Sequence, residues 1–98
     1  VTLDRKTSNY TLVAGDNGKI IEMNLATANT LTINTGLFIV GNQILISQYG
    51  AGQTSFVAGA GMTLRSDGGK LKIGTQFSLS TLIFISATEA YLTGNLIL

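Results

Sequence analysis

The run Thr81-Leu82-Ile83-Phe84-Ile85-Ser86 is apolar on both of its alternating sides. In a strand, successive side chains point to opposite faces, so a segment of this kind needs cover on both. A chain of 98 residues, 45% hydrophobic and 11% charged, has room for one core, because about 100 to 150 residues is the common domain size. Such a strand then keeps one face for another copy of the chain. Soluble domains usually carry about 25% charged residues, so the low charge points the same way. The expectation is a single domain over residues 1–98 that associates with itself.

Composition also closes several function classes. Asn, Thr, Gly and Ser interrupt every apolar stretch before it reaches the ~20 residues of a membrane-spanning helix. A net charge of +1 supplies no electrostatic drive toward nucleic acid or anionic lipid, and neither is expected as a partner. There is no cysteine, which excludes a disulfide framework. With histidine absent too, the commonest general base, the thiol nucleophile and the usual zinc ligands are missing. No cofactor is expected, and no catalytic or metal-binding residue. The chain opens on Val1 without a signal peptide and reads as a piece excised from something longer.

The patterning is β throughout. Strands are predicted at residues 9–13, 19–24, 30–34, 43–48, 54–58, 62–65, 70–73, 81–86 and 90–93, where Thr, Ile, Val, Leu and Tyr gather between turn residues. Residues 37–40 are apolar and fit either a connection or an edge strand. Gly15-Asp16-Asn17-Gly18, Tyr49-Gly50-Ala51-Gly52-Gln53, Gly59-Ala60-Gly61 and Asp67-Gly68-Gly69 stand at hairpin spacing, which predicts a meander. The best helical segment, residues 25–29, is one turn long. The fold class expected is therefore all-β, an antiparallel β-sandwich or small barrel of about eight or nine short strands. No repeat of fixed period is evident, and the Ala-Gly pairs at 14–15, 51–52 and 58–59 read as turns.

The carboxylates are Asp4, Asp16, Glu22, Asp67 and Glu89. Asp16 and Asp67 sit beside glycine, where a short acceptor stabilises a turn. Asp16-Asn17-Gly18 lacks the ordered oxygen ligands and closing Glu of a calcium loop. Glu22 belongs to a solvent or interface face. Arg65, Lys70 and Lys72 flank the Asp67 turn and would form a weak basic patch if strand pairing put them on one face. Tyr49 opens a Gly-rich loop with Gln48 and Gln53 beside it, which is the pattern of a stacking ring with amide hydrogen-bonders that a glycan site uses. Ile83, Ile85 and the apolar end Leu96, Ile97 and Leu98 are the candidates for an oligomer interface.

Several segments share a further pattern: Asp16-Asn17-Gly18-Lys19 with Glu22-Met23-Asn24, Ala28-Asn29-Thr30-Leu31-Thr32-Ile33, and Gly41 before Gln43-Ile44. It continues through Gln48-Tyr49-Gly50-Ala51-Gly52-Gln53-Thr54, Ala58-Gly59-Ala60-Gly61, Arg65-Ser66 and Gly69-Lys70-Leu71. From Tyr10 onward the chain thereby resembles a small β-domain of tailed-bacteriophage virion proteins, found in tail fibres or appendages and in head-surface fibres or decoration proteins. Such sequences often have a tryptophan near the position of Tyr91, where this chain has Ala90. The resemblance implies a non-enzymatic structural protein of the virion, homotrimeric, with other virion proteins as partners. The alternative is a carbohydrate- or receptor-binding module reading a host surface glycan, with Gln48, Tyr49 and Gln53 as its site.

Overall fold

Short β-rich runs separated by small residues do form the strands. In the computed structural model, which describes residues 1–98, there are eleven: β1 (Leu3–Lys6), β2 (Tyr10–Thr11), β3 (Ile20–Met23), β4 (Asn29–Ile33), β5 (Gln43–Gln48), β6 (Thr54–Ala58), β7 (Thr63–Ser66), β8 (Lys72–Ile73), β9 (Leu79–Phe84), β10 (Glu89–Gly94) and β11 (Leu96–Ile97). The only helical pieces are two single 3-10 turns, Ala14–Asp16 and Asp67–Gly69. Residues 25–29, expected as a helical turn, instead run round a corner into β4. Residues 37–40 are a connection: Phe38 turns inward against Phe84, ring centroids 4.5 Å apart, while Ile39 and Val40 face solvent.

The strands form two sheets, ordered β1-β3-β5-β9-β10-β7 and β11-β8-β6-β4-β2. We call them sheet A and sheet B. Up to β8 the chain crosses from one sheet to the other after every strand. As a result β1, β3 and β5 pair in parallel in sheet A, and β2, β4 and β6 pair in parallel in sheet B. Three coils of a solenoid are stacked in this way. Then β9 adds to β5 antiparallel, β10 follows as a hairpin partner, and β8 and β11 close sheet B antiparallel. The expected antiparallel sandwich or barrel is thus corrected to two open mixed sheets, solenoid-like in their first half. The turns at 15–18, 49–53, 59–61 and 67–69 are not hairpins, because each carries the chain between layers.

A repeat is present as well. Ile20 pairs with Leu45 and Asn29 with Thr54, an offset of 25 residues in both sheets. Across residues 17–36 and 42–61 only Asn17/Asn42, Ile21/Ile46, Ala26/Ala51 and Gly36/Gly61 are identical. The first coil has other offsets, 17 residues at Leu3/Ile20 and 21 at Tyr10/Leu31, so no single period runs through the sequence.

The core lies between the sheets. Ile21, Met23, Ile44, Ile46, Leu82, Phe84 and Leu92 point into it from sheet A, and Leu31, Ile33, Phe56 and Ile73 from sheet B. Each is an alternate residue of its strand, and burying a side chain of this size contributes about 1.5–3 kcal/mol.

Candidate functional site

The corner at residues 49–53 lies directly on the corner at 24–28. A Cβ on Gly50 would stand 2.2 Å from the Leu25 carbonyl oxygen, and one on Gly52 1.9 Å from that of Thr27. Neither glycine has positive φ. They are glycine because the coil beneath leaves no space for a side chain. Behind them runs a buried polar chain. Thr54 Oγ1 donates to Asn29 Oδ1 at 2.6 Å, Asn29 Nδ2 donates to the carbonyls of Thr27 and Gly52, and Thr54 N–H donates to Gln48 Oε1 at 3.1 Å. Gln48 Nε2 completes it on the Gly50 carbonyl.

This geometry separates the three residues expected to hold a glycan. Gln48 is 3% exposed and its amide is engaged at both ends inside the corner. Gln53 Nε2 donates to the Ile73 carbonyl at 3.1 Å, tying the corner to β8. Tyr49 alone presents its side chain outward, 45% exposed.

Its neighbours are residues the sequence reading passed over. Phe77 meets the Tyr49 ring edge-on, centroids 5.7 Å apart, and the Arg5 guanidinium lies 4.8 Å from the Tyr49 ring centre. Arg5 Nε donates to Glu22 Oε1, so the cation and the nearly buried carboxylate of this face neutralise each other. Phe77 is 69% exposed and has φ of 67°, the one residue other than glycine in the left-handed region. A bulky side chain there costs about 1–2 kcal/mol. Two backbone bonds hold it, Phe77 N–H to the Gln48 carbonyl at 2.7 Å and Gln48 N–H to the Ser78 carbonyl at 3.1 Å. A shallow groove of about 250 Å³ results, lined chiefly by Leu3, Ile20, Tyr49, Phe77 and Leu79, with Glu22, Ser47 and Gln48 also in its lining.

The groove is one end of a larger surface. Leu79, Thr81 and Ile83 are the outward residues of β9, and register sets Ile83 beside Tyr91 and Thr81 beside Leu45, which in turn neighbours Ile20 and Leu3. The predicted interface residues divide accordingly. Ile83 belongs to this outer face of sheet A, whereas Ile85 lies in the bend that follows β9 and is half-buried. Leu96 is partly buried against the core, while Ile97 and Leu98 are exposed at the edge of sheet B.

The charged residues do other work. Asp16 is fully buried at the first coil, where its Oδ2 accepts from Tyr10 Oη at 2.7 Å and Val13 N–H at 3.0 Å, and Lys19 Nζ lies 3.4 Å from its Oδ1. Asp4 bridges Lys19 and Lys6, and Lys6 rests over the Tyr10 ring. The end of the solenoid is thus capped by polar groups, which blunts the exposed edge. Burial, the hydrogen bond to Asp16 and the negative charge of Asp16 and Asp4 hold the Tyr10 hydroxyl well above its usual pKa. Arg65 is paired with Glu89 in sheet A at 2.7 Å, whereas Lys72 lies in sheet B, so the expected basic patch does not assemble. A second cleft of about 240 Å³, lined by Asp67, Lys70, Leu92, Thr93, Gly94 and Leu96, carries one charge of each sign. No group of three or more carboxylates is placed to hold a metal ion, and no helix is long and apolar enough to cross a membrane.

Compared with family models, curated proteins and solved structures, the chain has no match.

Proposed function

We propose that the chain is a non-enzymatic structural domain of a bacteriophage particle, a segment of a tail fibre, head-surface fibre or decoration module. It trimerises with copies of itself and stabilises or presents other virion proteins at the surface. The observation that carries this reading is the largely apolar outer face of sheet A, whose charges stand in two pairs, Arg5 with Glu22 and Arg65 with Glu89. Interface cores are depleted of free charge in the same way. The phage resemblance of the sequence supplies the setting. Support also comes from the carboxylates: Asp4, Asp16, Glu22 and Glu89 each stand against a Lys or Arg, which leaves only Asp67, in a tight turn, for chemistry. Light scattering at micromolar concentration tests the reading, with a mass near three chains expected. A stable mass of one chain, 10.3 kDa, would refute it.

A second reading, a module that binds a host surface glycan, is favoured by the exposed rings of Tyr49 and Phe77 beside Arg5. Exposed aromatic faces suit the apolar side of a sugar ring. It competes for the same surface.

A further inference from the structure

The geometry points to the outer face of sheet A as the surface through which this chain docks on a second copy of itself, with Phe77 as its anchor. The inference rests on the self-associating reading above and names its interface. Leu3, Tyr49, Phe77, Leu79, Ile83 and Tyr91 are all exposed on this side. At about half exposure and roughly 200 Å² for a large side chain, those six alone present ~600 Å² of apolar surface. That is the upper end of what a monomer tolerates, about 300–600 Å², and most of the ~800 Å² that each partner buries in a stable interface.

The strain at Phe77 is a second, independent observation. Its position requires positive φ, which glycine adopts without cost, yet the residue is a large aromatic whose ring gains little inside its own chain. Strain of this sort persists where the side chain does something the backbone alone does not. A ring held out by two backbone bonds, beside a groove of about 250 Å³ open to solvent, fits the anchor-and-pocket arrangement of interface hot spots. The chemistry of the groove selects the occupant. Its exposed lining is overwhelmingly apolar, whereas a sugar needs unpaired hydrogen-bonding groups, and Gln48, Gln53 and the Arg5–Glu22 pair are already engaged.

The test measures mass by sedimentation for the wild type, Phe77→Gly, Leu79→Lys and a double variant Ile97→Ser with Leu98→Ser, with thermal melts of the monomeric fraction as a fold control. Phe77→Gly should weaken association at least thirtyfold, the loss of one hot-spot anchor, while leaving the monomer melt unchanged or raised. Leu79→Lys should weaken association at least a hundredfold, because it places an unpaired charge in the contact. The C-terminal pair should leave the mass unchanged. If only that pair dissociates the oligomer, the sheet A interface is refuted and self-association stands. A monomeric wild type refutes both. An unchanged mass for Phe77→Gly and Leu79→Lys, with loss of binding on a glycan array, overturns the inference in favour of a saccharide.

Discussion

Replacing Gly52 by alanine is the sharpest probe of the stacked coils. The new methyl group would stand 1.9 Å from the Thr27 carbonyl oxygen, 2.3 Å from its carbon and 2.8 Å from its nitrogen. All three are backbone atoms, so no side-chain rotation relieves the overlap. Ordinary contact requires the corners to separate by about 1.5 Å, which disrupts the bonds that cross them: Gly52 N–H to the Leu25 carbonyl at 2.9 Å and Asn29 Nδ2 to the Gly52 carbonyl at 3.3 Å. Overpacking costs about 1–3 kcal/mol and each lost hydrogen bond about 1 kcal/mol, so the total is about 3–5 kcal/mol. That is a large part of the ~5–15 kcal/mol by which a domain is stable. At roughly 4–8 °C per kcal/mol, the melting temperature should fall by about 12 °C or more. Gly15→Ala is the control, since nothing lies within 4 Å of its Cβ and its φ is not positive. Calorimetry or circular dichroism melts of both variants decide the matter. A Gly52→Ala protein melting within about 2 °C of wild type would mean that the coils are not stacked at this offset.

Other expectations follow from the polar end, the exposed ring and the composition. Tyr10 is protonated more tightly when folded than when unfolded, so its contribution is complete below the unfolded value of about 10 and is lost as pH rises above it. Melts of wild type and Tyr10→Phe from pH 8 upward should therefore converge in the alkaline range, and parallel curves would contradict this. Asp16→Ala strips acceptors from Tyr10 and Val13 and should cost about 2–3 kcal/mol in urea unfolding, far more than Asp67→Ala, which no ion pair involves. Chelators and reductants should leave the melt unmoved, and a fall of several degrees with EDTA would reveal a metal at the Asp16 or Asp67 turn. Tyr49→Ala should fold and weaken the association of copies. Intact oligomers that lose binding to host cells would instead make Tyr49 a receptor contact.

Strand positions were legible because alternation marks them, and β5 and β6 match their predicted spans. Pairing direction was not. A two-layer crossover and a hairpin use the same small residues, and the parallel partner of a strand lies a whole coil away. Leu3-Asp4-Arg5-Lys6 was not among the expected strands, and its inward-facing Asp4 and Lys6 are accommodated because they pair with each other at the polar end of the coils. The glycines of the corner passed for turn residues, although their cause is the coil below. Gln48 was misplaced for a reason visible in the sequence: it shares the inward parity of Ile44 and Ile46 on β5. Phe77 left no such trace, because nothing in the residues around it announces a left-handed backbone.

The corner glycines also set a rule for growth. An extra coil inserted into the ladder must present glycine wherever it crosses the bulky backbone turn beneath it. The second coil, with Leu25 and Thr27 at those places, cannot be copied onto itself, whereas the third, with Gly50 and Gly52, can. Duplication of residues 37–61 would therefore lengthen the molecule by one strand spacing, about 4.8 Å, and leave the capped start and the closing hairpin untouched. The domain's height is a quantity counted in whole coils, and its permitted increments are written in two glycines.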